Sequence, residues 1–214
     1  MKSNYTKLLM LALVAVFALG SCSDDDDNDS KWVVTLGAQS NETIGAFYSL
    51  SEKKVYTQDE ALLNQEKIDL LCFYEHTDSR VNDMTLSSPY ANITGIFTDE
   101  NGDEYFTAWT TKNFTTITPT SASSGVSPLP EGTQSITAEQ FDQIKQGDVI
   151  IATYFNTTLT SSNKKAKLLA VGDIYSFLTQ DGTFGIFKVI EVSNPESVEG
   201  WIKFELKTYT PVTK

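Results

Sequence analysis

Apolar and polar positions alternate with a period of two over much of the chain after residue 30, a pattern that predicts β-strands. The last such run spans residues 200–210. Within it, Glu205 and Lys207 fall on the face opposite Phe204, so one face of this strand is predicted to be buried and the other solvated. Shorter apolar runs also predict strands at residues 31–38, 45–50, 68–74 and 148–155.

Two glycine-containing dipeptides mark tight turns between alternating segments. Asn101-Gly102 lies at the centre of residues 93–111, and Asp181-Gly182 lies at the centre of residues 172–192. Both dipeptides tolerate the positive φ angles that a type I′ turn requires. We therefore predict two β-hairpins, one around each dipeptide.

Two short helices are predicted from their N-terminal caps. Thr137 precedes Gln140 by three positions, and Thr57 precedes Glu60 by the same spacing. In such a capping box the threonine hydroxyl accepts a hydrogen bond from the backbone of the third residue, and that residue's side chain accepts one in return. Each pair therefore predicts the start of a helix.

The order of these elements predicts the fold class. Residues 115–134 are rich in Ser, Thr, Pro and Gly, and we predict a long flexible or functional loop there. The segments on both sides of it need sheet partners, so residues 31–214 are predicted to form a single β-rich domain. The expected fold is all-β with two short helices, either a β-sandwich or a partly open barrel.

Residues 1–21 have the layout of a signal peptide. Lys2 and Lys7 precede an apolar run at residues 8–19, which is too short to span a bilayer permanently. The tetrapeptide that follows, Leu19-Gly20-Ser21-Cys22, resembles the lipobox of bacterial lipoproteins. The resemblance implies cleavage before Cys22 and acylation of that cysteine, which would anchor the protein stably in a membrane.

Residues 22–30 combine this cysteine with an acidic segment. Residues 24–29 form a like-charge block without an apolar side chain, so we predict a solvated, flexible tether. A calcium site is the competing interpretation, but the glycine turn and the spaced ligands of a calcium loop are missing. The block resembles the acidic export signal of some Gram-negative lipoproteins, which implies a lipid-anchored protein of the outer membrane that faces the cell exterior.

Charge and cysteine content narrow the function further. The chain carries a formal charge of −12, and removal of residues 1–21 takes it to −14 (−12 minus 2). This acidity argues against binding to nucleic acid. With Cys22 lipidated, Cys72 has no disulfide partner, and we predict that it is a small buried hydrophobic residue.

Catalytic motifs are scarce in the sequence. His76 is the only histidine, and no Gly-x-Ser-x-Gly motif accompanies it. A triad of His76 with Asp78 or Asp83 is the catalytic alternative, although a lone histidine beyond a strand is more often a surface residue. One histidine and one buried cysteine are too few ligands for zinc. We expect neither catalytic residues nor a metal site.

Aromatic residues offer a second kind of candidate site. Most of them alternate along predicted strands, which places them in the core. Residues 105–109 are the exception, because large rings occur on both faces of this segment. Tyr105 and Trp109 are therefore candidates for stacking on a sugar ring or a porphyrin.

Two parts of the chain resemble the HmuY-like haem-binding lipoproteins. The first is GAFYSLSEKKVYT followed by KIDLLCFY, and the second is DIYSFLTQDGTFGIFKVIEV with GWIKFELKTYT. The resemblance implies an all-β fold with a ligand cleft near the end of the sheet, and haem held by two axial side chains. The chain has one histidine where the family often uses two, so the matching pair is His76 and Met84, both placed after the predicted strand at 68–74.

The expected function is that of a surface-anchored, non-catalytic binding lipoprotein without a cofactor. Haem, bound through His76 and Met84, is the first alternative, and a glycan bound through Tyr105 and Trp109 is the second. A structural or adhesive role without a small ligand is the third. The expected partners are the outer membrane through the lipid anchor, a haem or glycan ligand and a TonB-type transporter, but not nucleic acid.

Overall fold

The computed structural model describes residues 31–77, 80–98, 101–122, 128–159 and 163–212, with the backbone alone at 76, 77 and 80–83. The predicted signal peptide, the lipidated Cys22 and the acidic tether lie outside these ranges and stay predictions. Within the described ranges, no helix has both the length and the apolar character needed to cross a membrane.

Within the described residues, ten strands form two five-stranded sheets in which all neighbouring strands are antiparallel. In spatial order, the first sheet contains β1 (Trp32–Gly37), β10 (Trp201–Tyr209), β9 (Phe184–Ser193), β8 (Ile174–Thr179) and β6 (Thr115–Pro119). The second contains β3 (Lys54–Tyr56), β2 (Phe47–Ser49), β4 (Leu70–Thr77), β5 (Arg80–Ser87) and β7 (Lys165–Ala166). The all-β prediction is confirmed, and of the two predicted forms the structure is the sandwich.

Three short helices accompany the sheets in the part of the chain that the structure describes, where two were predicted. They are α1 (Gln58–Leu62), α2 (Ala138–Gln143) and α3 (Ile150–Thr153). Turns of 3₁₀ helix also occur at Gln65–Lys67 and Tyr105–Ala108. The predicted capping boxes are confirmed at the starts of α1 and α2, with hydrogen bonds in both directions between Thr57 and Glu60 and between Thr137 and Gln140.

The main hydrophobic core lies between the sheets. It joins residues such as Phe187 and Phe204 from the first sheet to Leu70 and Leu86 from the second, all fully buried. Burial of each such side chain stabilises the fold by about 1.5–3 kcal/mol relative to exposure. Cys72 is buried in this core, as predicted, and burial raises the pKa of its thiol.

Two further clusters cover the outer faces of the sheets. On the second sheet, Phe47 and Phe73 contact Phe97 from the long connection between β5 and β6. On the first sheet, Ile174 and Ile186 contact Phe141 and other residues of the α2–α3 region. Many strand residues are consequently buried on both sides of their sheet, which explains why apolar runs outnumber strict alternation.

The predicted solvated face of β10 is wrong at two positions. Phe204 is buried as expected, but Glu205 and Lys207 on the opposite face are only 3% and 8% exposed. The end of α2 covers them, because the Lys207 ammonium donates hydrogen bonds to the backbone carbonyls of Phe141 (2.6 Å) and Ile144 (2.7 Å). Helix packing across the outer face thus overrides the pattern of the strand alone.

The two predicted hairpins have different outcomes. The hairpin at Asp181-Gly182 is confirmed: β8 and β9 pair across it, and Gly182 adopts a φ of 88°. The turn at Asn101-Gly102 is present, with a φ of 82° at Gly102, but the flanking strands are wrong. Among the described residues of this region, pairing is limited to an isolated bridge between Thr98 and Glu104.

The second arm of that predicted hairpin is a 3₁₀ turn, Tyr105–Ala108, for a packing reason. Residues three apart lie on the same side of a 3₁₀ helix. The turn therefore directs both Phe106 and Trp109 onto the second sheet, with ring centroids 4.6 Å apart in a stacked arrangement and Phe47 beneath them. In a strand, side chains three positions apart point to opposite faces, so Phe106 and Trp109 could not both have packed on the sheet.

Two other segments also differ from the prediction. Residues 148–155 contain the short helix α3 (Ile150–Thr153) instead of a strand. Ile151 and the C-cap residue Tyr154, three positions apart, both pack on the first sheet. The predicted loop 115–134 begins with the edge strand β6, which pairs with β8 and links Thr118 to Ser176 through their hydroxyls at 2.6 Å. Residues 123–127 of this loop lie outside the described residues.

Candidate ligand-binding groove

An open groove lies at the edge of the sandwich where β6 of the first sheet approaches β7 of the second. It has two adjoining chambers, a large one of about 770 Å³ and a small one of about 440 Å³. Ala91, Asn92 and Lys164 line both chambers. We call the two chambers together the basic groove, after its four lysines: Lys112, Lys164, Lys165 and Lys167.

Residues 163–167 are held by hydrogen bonds to both sheets. The carbonyl of Asn163 accepts a bond of 2.8 Å from the N–H of Ile117 in β6, and the carbonyl of Lys164 accepts one of 2.9 Å from the N–H of Ser88, just after β5. The following residues form β7 and pair with β5. Since the segment is bonded at the edge of each sheet, the backbone positions of its lysines are fixed.

Two of the four lysines share one carboxylate. The Oε2 atom of Glu75 lies 3.7 Å from the ammonium of Lys165 and 3.1 Å from that of Lys167. All three side chains are largely buried at the wall of the large chamber.

The other two lysines contact aromatic rings instead of acids. The ammonium of Lys164 lies 4.5 Å from the ring centroid of Tyr90 and 5.4 Å from that of Phe114, and Lys112 lies 5.2 Å from the ring of Phe106. Cation–π contacts of this kind orient an ammonium without neutralising it. Within the described part of the chain, neither lysine forms an ion pair with a carboxylate.

Neutral polar groups complete the lining of the groove. The side-chain amide of Asn163 and the Nδ2 atom of Asn92 make no hydrogen bond within the described ranges, whereas Asn92 Oδ1 accepts one from the Thr94 hydroxyl at 2.9 Å. Tyr90 is 55% exposed at the small chamber, with its ring edge-on to Phe114 at 5.6 Å. The groove thus combines cations, an exposed ring and amide groups available for hydrogen bonding.

The floor of the small chamber contains an unusual carboxylate. Glu104 accepts a hydrogen bond from the N–H of Gly95 through Oε2, while its Oε1 atom is buried and has no hydrogen-bond partner among the described residues. The indole N–H of Trp109 is buried and unpartnered in the same sense. Unpaired buried polar atoms of this kind cost about 1–3 kcal/mol each.

The rings predicted to stack on a ligand lie mostly inside the hydrophobic cluster that covers the outer face of the second sheet. Trp109 is 6% exposed and stacks on Phe106, so a ligand could reach its ring face only after rearrangement. Tyr105 is partly buried, its hydroxyl donates to the carbonyl of Gln58, and burial raises its pKa to about 12. In the described structure the exposed ring of this region is Tyr90, which the sequence did not single out.

The two predicted axial ligands lie on different strands. His76 is in β4 and Met84 in β5, so the prediction that both follow one strand is wrong. Met84 is 0% exposed in the main core, and its sulfur lies 3.6 Å from the thiol of Cys72, which donates to it. Axial ligation would require Met84 to leave this packing, and the side chain of His76 lies outside the described structure.

A sequence signal for the basic groove existed. Asn163-Lys164-Lys165-Ala166-Lys167 concentrates three lysines in an otherwise acidic chain, and Tyr90 follows a Ser-Pro turn signal instead of lying in an apolar run. Neither signal shows that these residues meet, because they are about 75 positions apart in the chain.

Comparisons with known proteins give no relative whose binding site could be compared with this groove. No protein-family model, curated protein or solved structure matches the chain. Over the part of the chain that the structure describes, no group of three or more histidine, cysteine, aspartate or glutamate residues is arranged to hold a metal ion. The case for the groove therefore rests on its own geometry.

Proposed function

We propose that this chain is a lipid-anchored protein of the outer cell surface that binds a ligand in the basic groove without catalysing a reaction. The observation that supports it is a pair of oriented ammonium groups, Lys112 and Lys164, which face an open groove and have no carboxylate partner within the described residues. Ligand sites typically combine a concave surface with a few polar groups that fix orientation. The two chambers together offer both.

The position of the groove supports a binding role as well. It lies at an edge of the sandwich, and its walls are anchored to both sheets through residues 163–167. Binding sites are commonly formed by connecting segments that a rigid scaffold holds in place. A ligand would therefore meet a preformed surface instead of a site that must fold around it.

Binding is tested by filling the junction of the two chambers. The full chain carrying Cys22→Ser, which avoids lipidation, would be applied to an array of neutral, carboxylated and sulfated oligosaccharides and titrated separately with haemin. Asn92→Trp should abolish binding of whichever probe binds, because Asn92 lines both chambers. Val171→Trp, which adds the same ring at an exposed position outside the groove, is the matched control. Binding that survives Asn92→Trp, or no binding to any probe, would contradict the proposed site.

The anchor is tested independently of the ligand. In cells that express the wild-type chain, the protein should fractionate with the outer membrane and be cleaved by protease added to intact cells. Cys22→Ser should release it from the membrane fraction, since acylation requires the cysteine sulfur. Recovery of the wild-type protein in the soluble fraction would contradict the lipoprotein proposal.

Haem remains the alternative ligand, and its test is optical. Ligation by His76 and Met84 predicts a Soret shift on addition of haemin that is lost in His76→Ala. A haemin complex that forms equally well in His76→Ala and is lost in Asn92→Trp would place haem in the basic groove instead. We favour the groove because the Met84 sulfur is enclosed in the core.

A further inference from the structure

The charge in the basic groove is opposite to that of the chain. Among the described residues that line it, four lysines accompany two glutamates, Glu75 and Glu104, while the chain as a whole carries −12. A cleft with low-dielectric walls focuses the field of such a cluster and raises the local concentration of oppositely charged ligands. An anionic group on the ligand would supply the counter-charge that Lys112 and Lys164 lack within the described structure.

The ammonium of Lys164 is positioned before a ligand arrives. Its backbone carbonyl is bonded to Ser88, and its side chain lies over the rings of Tyr90 and Phe114. A lysine side chain that is already ordered loses less conformational entropy when it binds an anion. This arrangement differs from a solvated surface lysine, which pays that entropy on binding.

The neutral groups of the groove match hydroxyl groups. A side-chain amide offers two donors and one acceptor oxygen, and a sugar hydroxyl both donates and accepts. Asn92 and Asn163 present such amide groups at the large chamber. The Nδ2 atom of Asn92 and the whole side-chain amide of Asn163 make no hydrogen bond within the described residues, whereas Asn92 Oδ1 already accepts one from Thr94. The exposed ring of Tyr90 adds an amphipathic surface suited to the apolar face of a sugar ring.

These observations together identify a ligand class, provided that the groove is the binding site as proposed above. We propose that the basic groove binds an acidic oligosaccharide, with carboxylate or sulfate groups paired to Lys112 and Lys164 and hydroxyl groups hydrogen-bonded to Asn92 and Asn163. Nucleic acid also combines anions with ring systems. The net charge of −12 opposes it, because the continuous phosphate backbone extends beyond the groove onto an acidic surface.

A matched pair of ligands tests the proposal. The full Cys22→Ser chain would be titrated calorimetrically with a galacturonic acid hexamer and with its methyl ester, which keeps the ring hydroxyls but removes the charges. A sulfated hexasaccharide and a single-stranded DNA oligonucleotide complete the series. We expect the acid to bind at least about tenfold more tightly than the ester, because charge-assisted hydrogen bonds are about twice as strong as neutral ones. The tighter-binding of the two acidic probes, the carboxylated or the sulfated one, identifies which anion the groove prefers.

Single-lysine variants locate the effect. Lys164→Ala and Lys112→Ala should each weaken binding of the preferred acidic probe by about tenfold and leave the ester nearly unchanged. Lys54→Ala removes the same charge at an exposed ion pair with Glu60, outside the groove, and should leave both affinities unchanged. Added salt should reduce the affinity of the wild-type protein for the acidic probe more than it reduces that of the double variant Lys112→Ala/Lys164→Ala.

The possible results separate this proposal from the one it rests on. Equal binding of the acid and the ester, wild-type affinity in the double variant, or tighter binding of the oligonucleotide would overturn the acidic oligosaccharide. The groove would still stand as a binding site if Asn92→Trp abolished binding of the ester. No binding to any of the four probes would overturn the acidic oligosaccharide, and the wider array and haemin titration would then decide whether the groove binds a ligand at all.

Discussion

Two groups of lysines in this protein lie over aromatic rings but differ in their charge partners. Helix α2 covers part of the outer face of the first sheet, and we call the two lysines beneath it, Lys188 and Lys207, the lid lysines. Their ammonium groups lie 4.9 and 4.5 Å from the ring centroid of Phe141 in α2. The ammonium of Lys207 is 3.5 Å from Glu205, and that of Lys188 is paired with Asp142. Lys112 and Lys164, the groove lysines, contact rings but no carboxylate within the described ranges.

The difference indicates which lysines serve the fold. Lys207 is enclosed and bonded to two carbonyl groups and a carboxylate, so its removal takes one of two cations from the buried Glu205 and both ammonium hydrogen bonds from the end of α2. Removal of a groove lysine leaves only a ring without its cation. The shared ring contact thus says little about the role of a lysine, and the presence or absence of a counter-charge says more.

The largest effect is expected from Lys207→Met. The substitution keeps the volume of the side chain but removes both hydrogen bonds to α2 and leaves Glu205 buried with only Lys31, 3.2 Å away, as its counter-charge. Loss of one partner from a buried pair costs about 3–5 kcal/mol, which we expect as the fall in unfolding free energy measured in urea.

Lys203→Met is the control for that measurement. Lys203 also lies on β10 and pairs with Glu191 at 2.8 Å, but both side chains are considerably exposed. Pairs of this kind contribute about 0.2–1 kcal/mol, so the control should be several-fold less destabilised. Equal losses in the two variants would show that burial of the lid lysine has no special role in stability.

Asp69, a half-buried acid without an ion-pair partner among the described residues, tests the same idea with the opposite charge. Burial raises the pKa of Asp69 to about 6, although the N–H of Leu50 donates to its carboxylate at 2.8 Å. The folded protein therefore holds this proton more tightly than the unfolded chain, and the contribution of Asp69 to stability is complete at low pH and is lost as the pH rises through about 6.

Asp69→Asn should remove this pH dependence. The amide oxygen can still accept from Leu50, and no charge has to be buried at neutral pH. We expect the variant to gain about 2–3 kcal/mol relative to the wild type as the pH rises from 4 to 7, measured as the difference in unfolding free energy at each pH. A difference that stays constant over this range would show that Asp69 ionises normally.

A small effect on stability, similar to that of the Lys203→Met control, is expected in the basic groove. Lys112→Ala and Lys164→Ala each remove a cation–π contact, which at a partly exposed site is worth about 0.5–1 kcal/mol. The melting temperature should therefore fall by only a few degrees in calorimetry. A loss comparable to that of Lys207→Met would assign the groove lysines to the fold instead of to a ligand.

Local sequence signals predicted much of the fold. The capping boxes at Thr57 and Thr137 and the Asp181-Gly182 turn depend on residues within a few positions of one another, and all three are confirmed. The strands predicted at residues 105–109 and 148–155 are wrong for a common reason. Their rings and aliphatic side chains pack on the outer face of a sheet, and one-sided helical turns serve that purpose better than strands.

The candidate site was less accessible to sequence reasoning because its parts are distant in the chain. Glu75, Asn92, Lys112 and Lys164 reach the groove from four separate segments. The pairing of β5 with β4 and β7, together with the bond between Asn163 and β6, brings these segments together. The sequence also indicated Trp109 as a ligand-binding residue, but the hydrophobic cluster on the outer face of the second sheet encloses its ring. Prediction of the groove would have required the strand order as well as the residue pattern.

The strand order has a mechanical consequence. The first sheet has β1 at one edge and β6 at the other, with β10, β9 and β8 between them. β1 directly follows the segment proposed to carry the lipid, whereas β6 borders the basic groove. Tension between an immobilised ligand and the cell would therefore be distributed across all four ladders of this antiparallel sheet, and the hydrogen bonds between β1 and β10 would be the first to receive the load from the membrane.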